Sequence, residues 1–276
     1  MEFLKIVRRR SFLSEVVYTV LNIALAVAVV LIIRATASPW LAIALVALSK
    51  WRVLAVRPRY WFVNVQANLV DFIVSLSVIV FLYTTYVGSV ETSQKDFIMA
   101  LLTLLYMAWL LWLKPRSKRI YVAAQAGVAL FAGTTALFIL SYAWPASAVV
   151  LVMWLIGYTT ARHVLSSYDE THILFLSLLW GFLLAEIGWL AYHWTVAYVP
   201  LGIQNVLFPR VALSVLCIGF MLHRCYDSFY HHQKIRGNDV ILPILFTVSI
   251  IIILPLALNI VDQLYDQGLH QMTLGI

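Results

Sequence analysis

Long apolar runs, interrupted at short intervals by basic residues, constrain this chain more than any other feature. They fall at about 15–33, 39–56, 61–85, 97–113, 120–143, 146–162, 172–193, 209–226 and 240–262. Each is close to the roughly 20 residues a helix needs to cross the ~30 Å hydrocarbon core of a bilayer. Composition points the same way: 63% of the residues are hydrophobic and 11% charged, against roughly 25% charged in a soluble domain. The expected fold is therefore all-α, a polytopic integral membrane bundle of about nine transmembrane helices. Residues 1–276 read as one transmembrane domain. Residues 195–208, interrupted by Pro200 and Gly202, read as an interfacial or re-entrant segment.

Basic residues set the expected orientation. With the N-terminus in the cytoplasm and the C-terminus outside, 16 of the 19 Lys and Arg residues fall on the inner side, and only Arg34, Lys95 and Arg210 fall outside. That is the bias expected of a multi-pass protein in a plasma (inner) membrane. It also removes nucleic acid as the reason for the net charge of +7. The expected partners are the lipid bilayer and a small ion or solute, with room for a protein partner or a second copy. Arg8-Arg9-Arg10 and Ala35-Thr36-Ala37 resemble the ends of a signal peptide. The apolar run between them is longer than the 7–15 residues of such segments, so it reads as a retained first span. The second run is the shortest in apolar content, and it requires Lys50 and Arg52 to reach back to the inner headgroups.

The third run carries the polar residues that matter most. Asn64, Asn68, Asp71 and Ser75 follow i, i+4, i+7, i+11 and share one helix face, with Gln66 off it. Counted from Trp61, Asp71 stands ~15 Å along the helix and is expected near mid-bilayer. Glu186 is a second intramembrane acid, in the seventh run. No Lys or Arg is expected at the depth of either acid. Intramembrane carboxylates of this kind mark ion or proton pathways. The leading expectation is thus a small transporter or permeation protein. Asp71 and Glu186 would bind the ion or proton, with Asn64, Asn68 and Ser75 lining the route and no cofactor required.

Two other readings compete. His163, His172, His223, Asp227 and His231 gather on the inner side, and His223, Asp227 and His231 are spaced i, i+4, i+8. His and Asp are ligands for zinc or iron, so a metal-dependent enzyme acting on lipid at the cytoplasmic face is the alternative. There is no HExxH and no GxSxG. The second alternative is a non-catalytic membrane subunit or scaffold. Cys217 and Cys225 are eight residues apart on one run, too far to bridge. Ala123-xxx-Gly127 and Ala129-xxx-Gly133 place small residues where close helix packing is expected.

Overall fold

In the computed structural model the described residues are 12–51, 57, 61–88, 92–168, 170–194, 198–200 and 207–253. They form helices almost throughout. In chain order these are α1 (Phe12–Thr36), α2 (Trp40–Ser49), α3 (Trp61–Val87) and α4 (Thr92–Ala108), which continues as a wider π-helical turn (Trp109–Leu113). Then come α5 (Arg119–Leu140), α6 (Ala146–Leu165), α7 (Ile173–His193), α8 (Arg210–His232) and α9 (Gly237–Ile253). Of the region expected to be interfacial or re-entrant, the described residues form a small antiparallel ribbon, and 195–197 and 201–206 lie outside the described residues. The ribbon's strands β1 (Tyr198–Pro200) and β2 (Leu207–Pro209) pair Val199 with Phe208.

Among the described residues, six helices are long and apolar enough to cross a membrane. These are α1, α3, α4 with its π turn, α5, α6 and α7. Large apolar side chains point away from the packed interior: Leu21 is 64% exposed and Phe182 60%. An apolar exterior on this scale needs a non-aqueous partner, and lipid supplies it. α2 departs from expectation. Its ten residues span ~15 Å, half of a bilayer core.

The chain divides into two compact units. Residues 1–125 with 166–170 form one, and 126–165 with 171–276 form the other. In the first unit, α1 to α4 pack together around Val29, Ile33, Val46, Ile79, Leu82 and Met99. A polar clasp ties one end of this unit. Arg34 pairs with Asp96 at 2.6 Å, the Tyr86 hydroxyl donates to the Arg34 carbonyl at 3.0 Å, and Lys95 donates to the Tyr86 carbonyl at 2.8 Å. α1 and α3 both end at this clasp and α4 begins there. α3 therefore begins at the opposite end, and the ten residues of α2 are too short to cover that distance.

In the second unit, α6 and α7 pack most closely. Ser177, Gly181, Leu184, Ala185 and Gly188 form one buried stripe on α7. A methyl group at Gly188 would lie 2.5 Å from Met153 Cγ, and one at Gly157 would lie 3.1 Å from Gly181 Cα. Close backbone approach of this kind is how helices associate in membranes. The small residue expected to serve this purpose, Gly127, is looser: a methyl there meets only Leu216 Cδ1, at 3.5 Å. The Thr247 hydroxyl donates to the Cys217 carbonyl at 3.1 Å and links α9 to α8. Cys217 and Cys225 are both free thiols.

Candidate functional site

Three helices of the first unit converge on Asp71, which is 7% exposed. α2 ends at Ser49, so Lys50 stops partway through the bundle instead of at its surface. Its ammonium donates to Asp71 Oδ2. α4 runs the other way, and its π turn ends at Lys114, whose ammonium lies 2.8 Å from the same oxygen. The indole of Trp109 donates to the other oxygen, Oδ1, at 2.9 Å. One helical turn along α3, the buried Ser75 hydroxyl donates to the Asp71 carbonyl at 2.7 Å and accepts from Tyr106 at 3.1 Å. The result is a buried Lys–Asp–Lys centre with a Trp, Ser and Tyr shell.

This overturns the expectation that Asp71 lacks a basic partner at its depth. It also overturns the expectation that Lys50 reaches out to headgroups. The error lay in the origin of the depth measurement. α3 has 27 residues and so is ~40 Å long, more than a ~30 Å core. Measured from Val87, at the clasp end, Asp71 stands ~24 Å along. That is nearer the far edge than the middle. Two ammonium groups on one carboxylate leave an excess positive charge. Both lysines close the C-terminal ends of helices, α2 and the α4 π turn, where aligned peptide dipoles carry about half a negative charge each. The excess is offset there.

The π turn sets the position of Lys114, and the sequence explains its support. The Lys114 N–H bonds back to the Trp109 carbonyl at 2.9 Å, five residues away. Residue 115 is Pro and has no N–H. The Leu110 carbonyl is thus left without a backbone donor, and the Tyr18 hydroxyl from α1 fills that place at 3.3 Å. Gln125 serves the next carbonyls. Its buried amide donates to Leu113 at 2.7 Å, Arg116 at 2.8 Å and Lys114 at 3.3 Å. Replacing Gln125 with Leu removes the side-chain donor from all three carbonyls. A hydrogen bond of this kind contributes about 0.5–1.5 kcal/mol net. Gln125→Leu is expected to lower the thermal midpoint by several degrees, and a midpoint equal to that of the wild type would remove Gln125 from this role.

The other expected residues are distributed as follows. Asn68 is half-buried on α3 and engaged in a polar contact. Asn64 lies in the first turn of α3, and its side chain is outside the described residues. Glu186 is exposed on α7 and belongs to the second unit, whereas Asp71 belongs to the first. Asp227 and His231 do meet: His231 Nδ1 lies 2.9 Å from the Asp227 carbonyl oxygen and 3.5 Å from Oδ1. They line a polar cleft of about 290 Å³ with Arg224, Ser228, His232 and Asp239. In it the Ser228 hydroxyl donates to Asp239 at 2.9 Å and accepts from the Arg236 N–H at 3.0 Å. His223, His163 and His172 are not among the lining residues. Among the described residues, no three His, Cys, Asp or Glu side chains are grouped to hold a metal ion.

Sequence reasoning missed Lys50, Lys114, Trp109, Tyr106, Gln125 and Asp239. The signal for Lys50 was present: only ten residues separate the Ser38-Pro39 break from the Lys50-Trp51-Arg52 interruption.

Six long apolar helices, an apolar exterior and a charged centre sealed inside describe a multi-pass helical membrane protein. Comparison of the chain with known protein families, with curated proteins and with solved structures gives no match.

Proposed function

We propose that the protein is a small transporter or permeation protein of the plasma (inner) membrane, with Lys50–Asp71–Lys114 as its ion- or proton-responsive centre. In this reading the chain has about nine crossings, with the N-terminus inside and the C-terminus outside. The observation that carries the reading is the early end of α2. A helix that stops within the layer, beside a buried charged cluster, is the device by which broken helices of transporters present their ends to ions or substrates. Irregular backbone at that depth is tolerated where it is buried in protein or lines a wet cavity. A proton delivered to Asp71 releases two ammonium groups at once, so protonation and helix contact are coupled.

The test uses protons alone. The full chain is reconstituted into liposomes loaded with a pH-sensitive dye, and a pH gradient is imposed. The wild type is expected to collapse the gradient faster than protein-free liposomes. The double variant Lys50→Met/Asp71→Asn removes the carboxylate without stranding Lys50, and is expected to return the rate to the protein-free level. Equal rates for wild type and double variant would remove Asp71 from the pathway. They would favour the scaffold reading, which the full occupancy of both Asp71 oxygens also suits.

A further inference from the structure

α7 has two opposite faces. Ser177, Gly181, Leu184, Ala185 and Gly188 are buried, and α6 packs on them. About half a turn away, Phe175, Leu179, Phe182, Glu186, Trp189 and His193 are all exposed. Their spacing of four, three, four, three and four repeats every seven residues. That is the period of a seam along which one helix packs lengthwise on another. Lipid suits the apolar members of this seam but gives a carboxylate nothing to pair with. α7 has 21 residues and so spans ~31 Å. Glu186 lies two turns before its end at His193, ~10 Å inside the span. Its neighbours one turn away on this face, Phe182, Leu183, Trp189 and Leu190, are exposed apolar side chains. Among the described residues no Lys, Arg or His pairs with Glu186. Acids within spans are costly, and they face protein or a wet cavity and pair there.

We propose that this face of α7 docks a membrane-spanning helix of another protein, one that carries a Lys or Arg at the depth of Glu186. The spacing of the seam fits a left-handed crossing of about 20°. The acid sets the partner's charge and register, as a lone polar residue does in a coiled-coil seam. A second copy of this chain is a poorer occupant. Docked through the same face, it would set Glu186 against Glu186 and bring no cation. The face is separate from the Asp71 centre and does not depend on how that centre is read.

Designed single-span peptides of Leu and Ala test it, added to the full chain in phosphatidylcholine nanodiscs. One carries a single Lys ~10 Å from one end of its span, and the other has Leu at that position. Energy transfer from a dye on the protein to a dye on the peptide measures association. The Lys peptide is expected to bind about tenfold more tightly than the Leu peptide. Glu186→Gln keeps the size of the side chain on an exposed surface, and is expected to bring that ratio close to one. Equal binding of both peptides to the wild type, or an undiminished ratio in Glu186→Gln, overturns the proposal. Self-association of the full chain that Glu186→Gln abolishes also overturns it, and assigns the face to a second copy.

Discussion

Asp71→Asn is expected to destabilise the protein by roughly 3–5 kcal/mol, the range for removing one partner of a buried ion pair. The loss is large because of what remains behind. Lys50 and Lys114 stay inside the bundle, 12% and 31% exposed at their side chains, now repelling each other with no carboxylate between them. Lys50→Met in the same chain removes the more deeply buried of the two ammonium groups. Lys114, nearer the surface, can then turn outward. Most of the lost stability should therefore return in the double variant, as happens when buried ion pairs are replaced by apolar groups of similar volume. Denaturant unfolding in detergent, followed by tryptophan fluorescence, measures both. A single variant within about 0.5 kcal/mol of wild type, or a double variant worse than the single, would mean that the triad is not formed.

Gly181→Leu should cost about 3 kcal/mol, toward the upper end for overpacking. Even the first added carbon would lie 3.1 Å from both the Trp154 ring and the Trp154 carbonyl oxygen. The ring can move, but the carbonyl belongs to α6 itself, so α6 and α7 must separate. Gly127→Leu is the matched control. Its first carbon meets one flexible methyl at 3.5 Å, and its cost should stay below about 1 kcal/mol. Thermal midpoints of the two variants, compared in the same detergent, decide the matter. Similar losses at both positions would show that the α6–α7 approach is not the tight one.

How much of this was legible beforehand follows from what periodicity measures. The stripe on α3 was readable because its spacing of four, three and four keeps the residues within a narrow arc, and Asp71 and Ser75 do share one buried surface. The spacing of His223, Asp227 and His231 is different. Each step of four overshoots a full turn by ~40°, so the third residue has rotated ~80° from the first. Asp227 and His231 meet, and His223 falls outside their cleft. Periodicity also says nothing about where a neighbouring helix stops. The partners of Asp71 depended on the end of α2 and on the π turn of α4. The turn left one trace in the sequence, Pro115, whose meaning emerges only once the Leu110 carbonyl is seen to need another donor.

The two oxygens of Asp71 have different neighbours, and this gives the carboxylate a direction. Both ammonium groups are on Oδ2 and, among the described residues, only the neutral indole is on Oδ1. Negative charge is drawn toward one oxygen, so the two carbon–oxygen bonds become unequal in order. The group is no longer the symmetric rotor of a carboxylate in water. A half-turn about its bond to the rest of the side chain is not a silent motion here, because it exchanges a doubly salt-bridged oxygen for a singly hydrogen-bonded one. Asp71 thus has a fixed direction within the bundle: a cationic side that holds it in place, and an uncharged side turned to the indole.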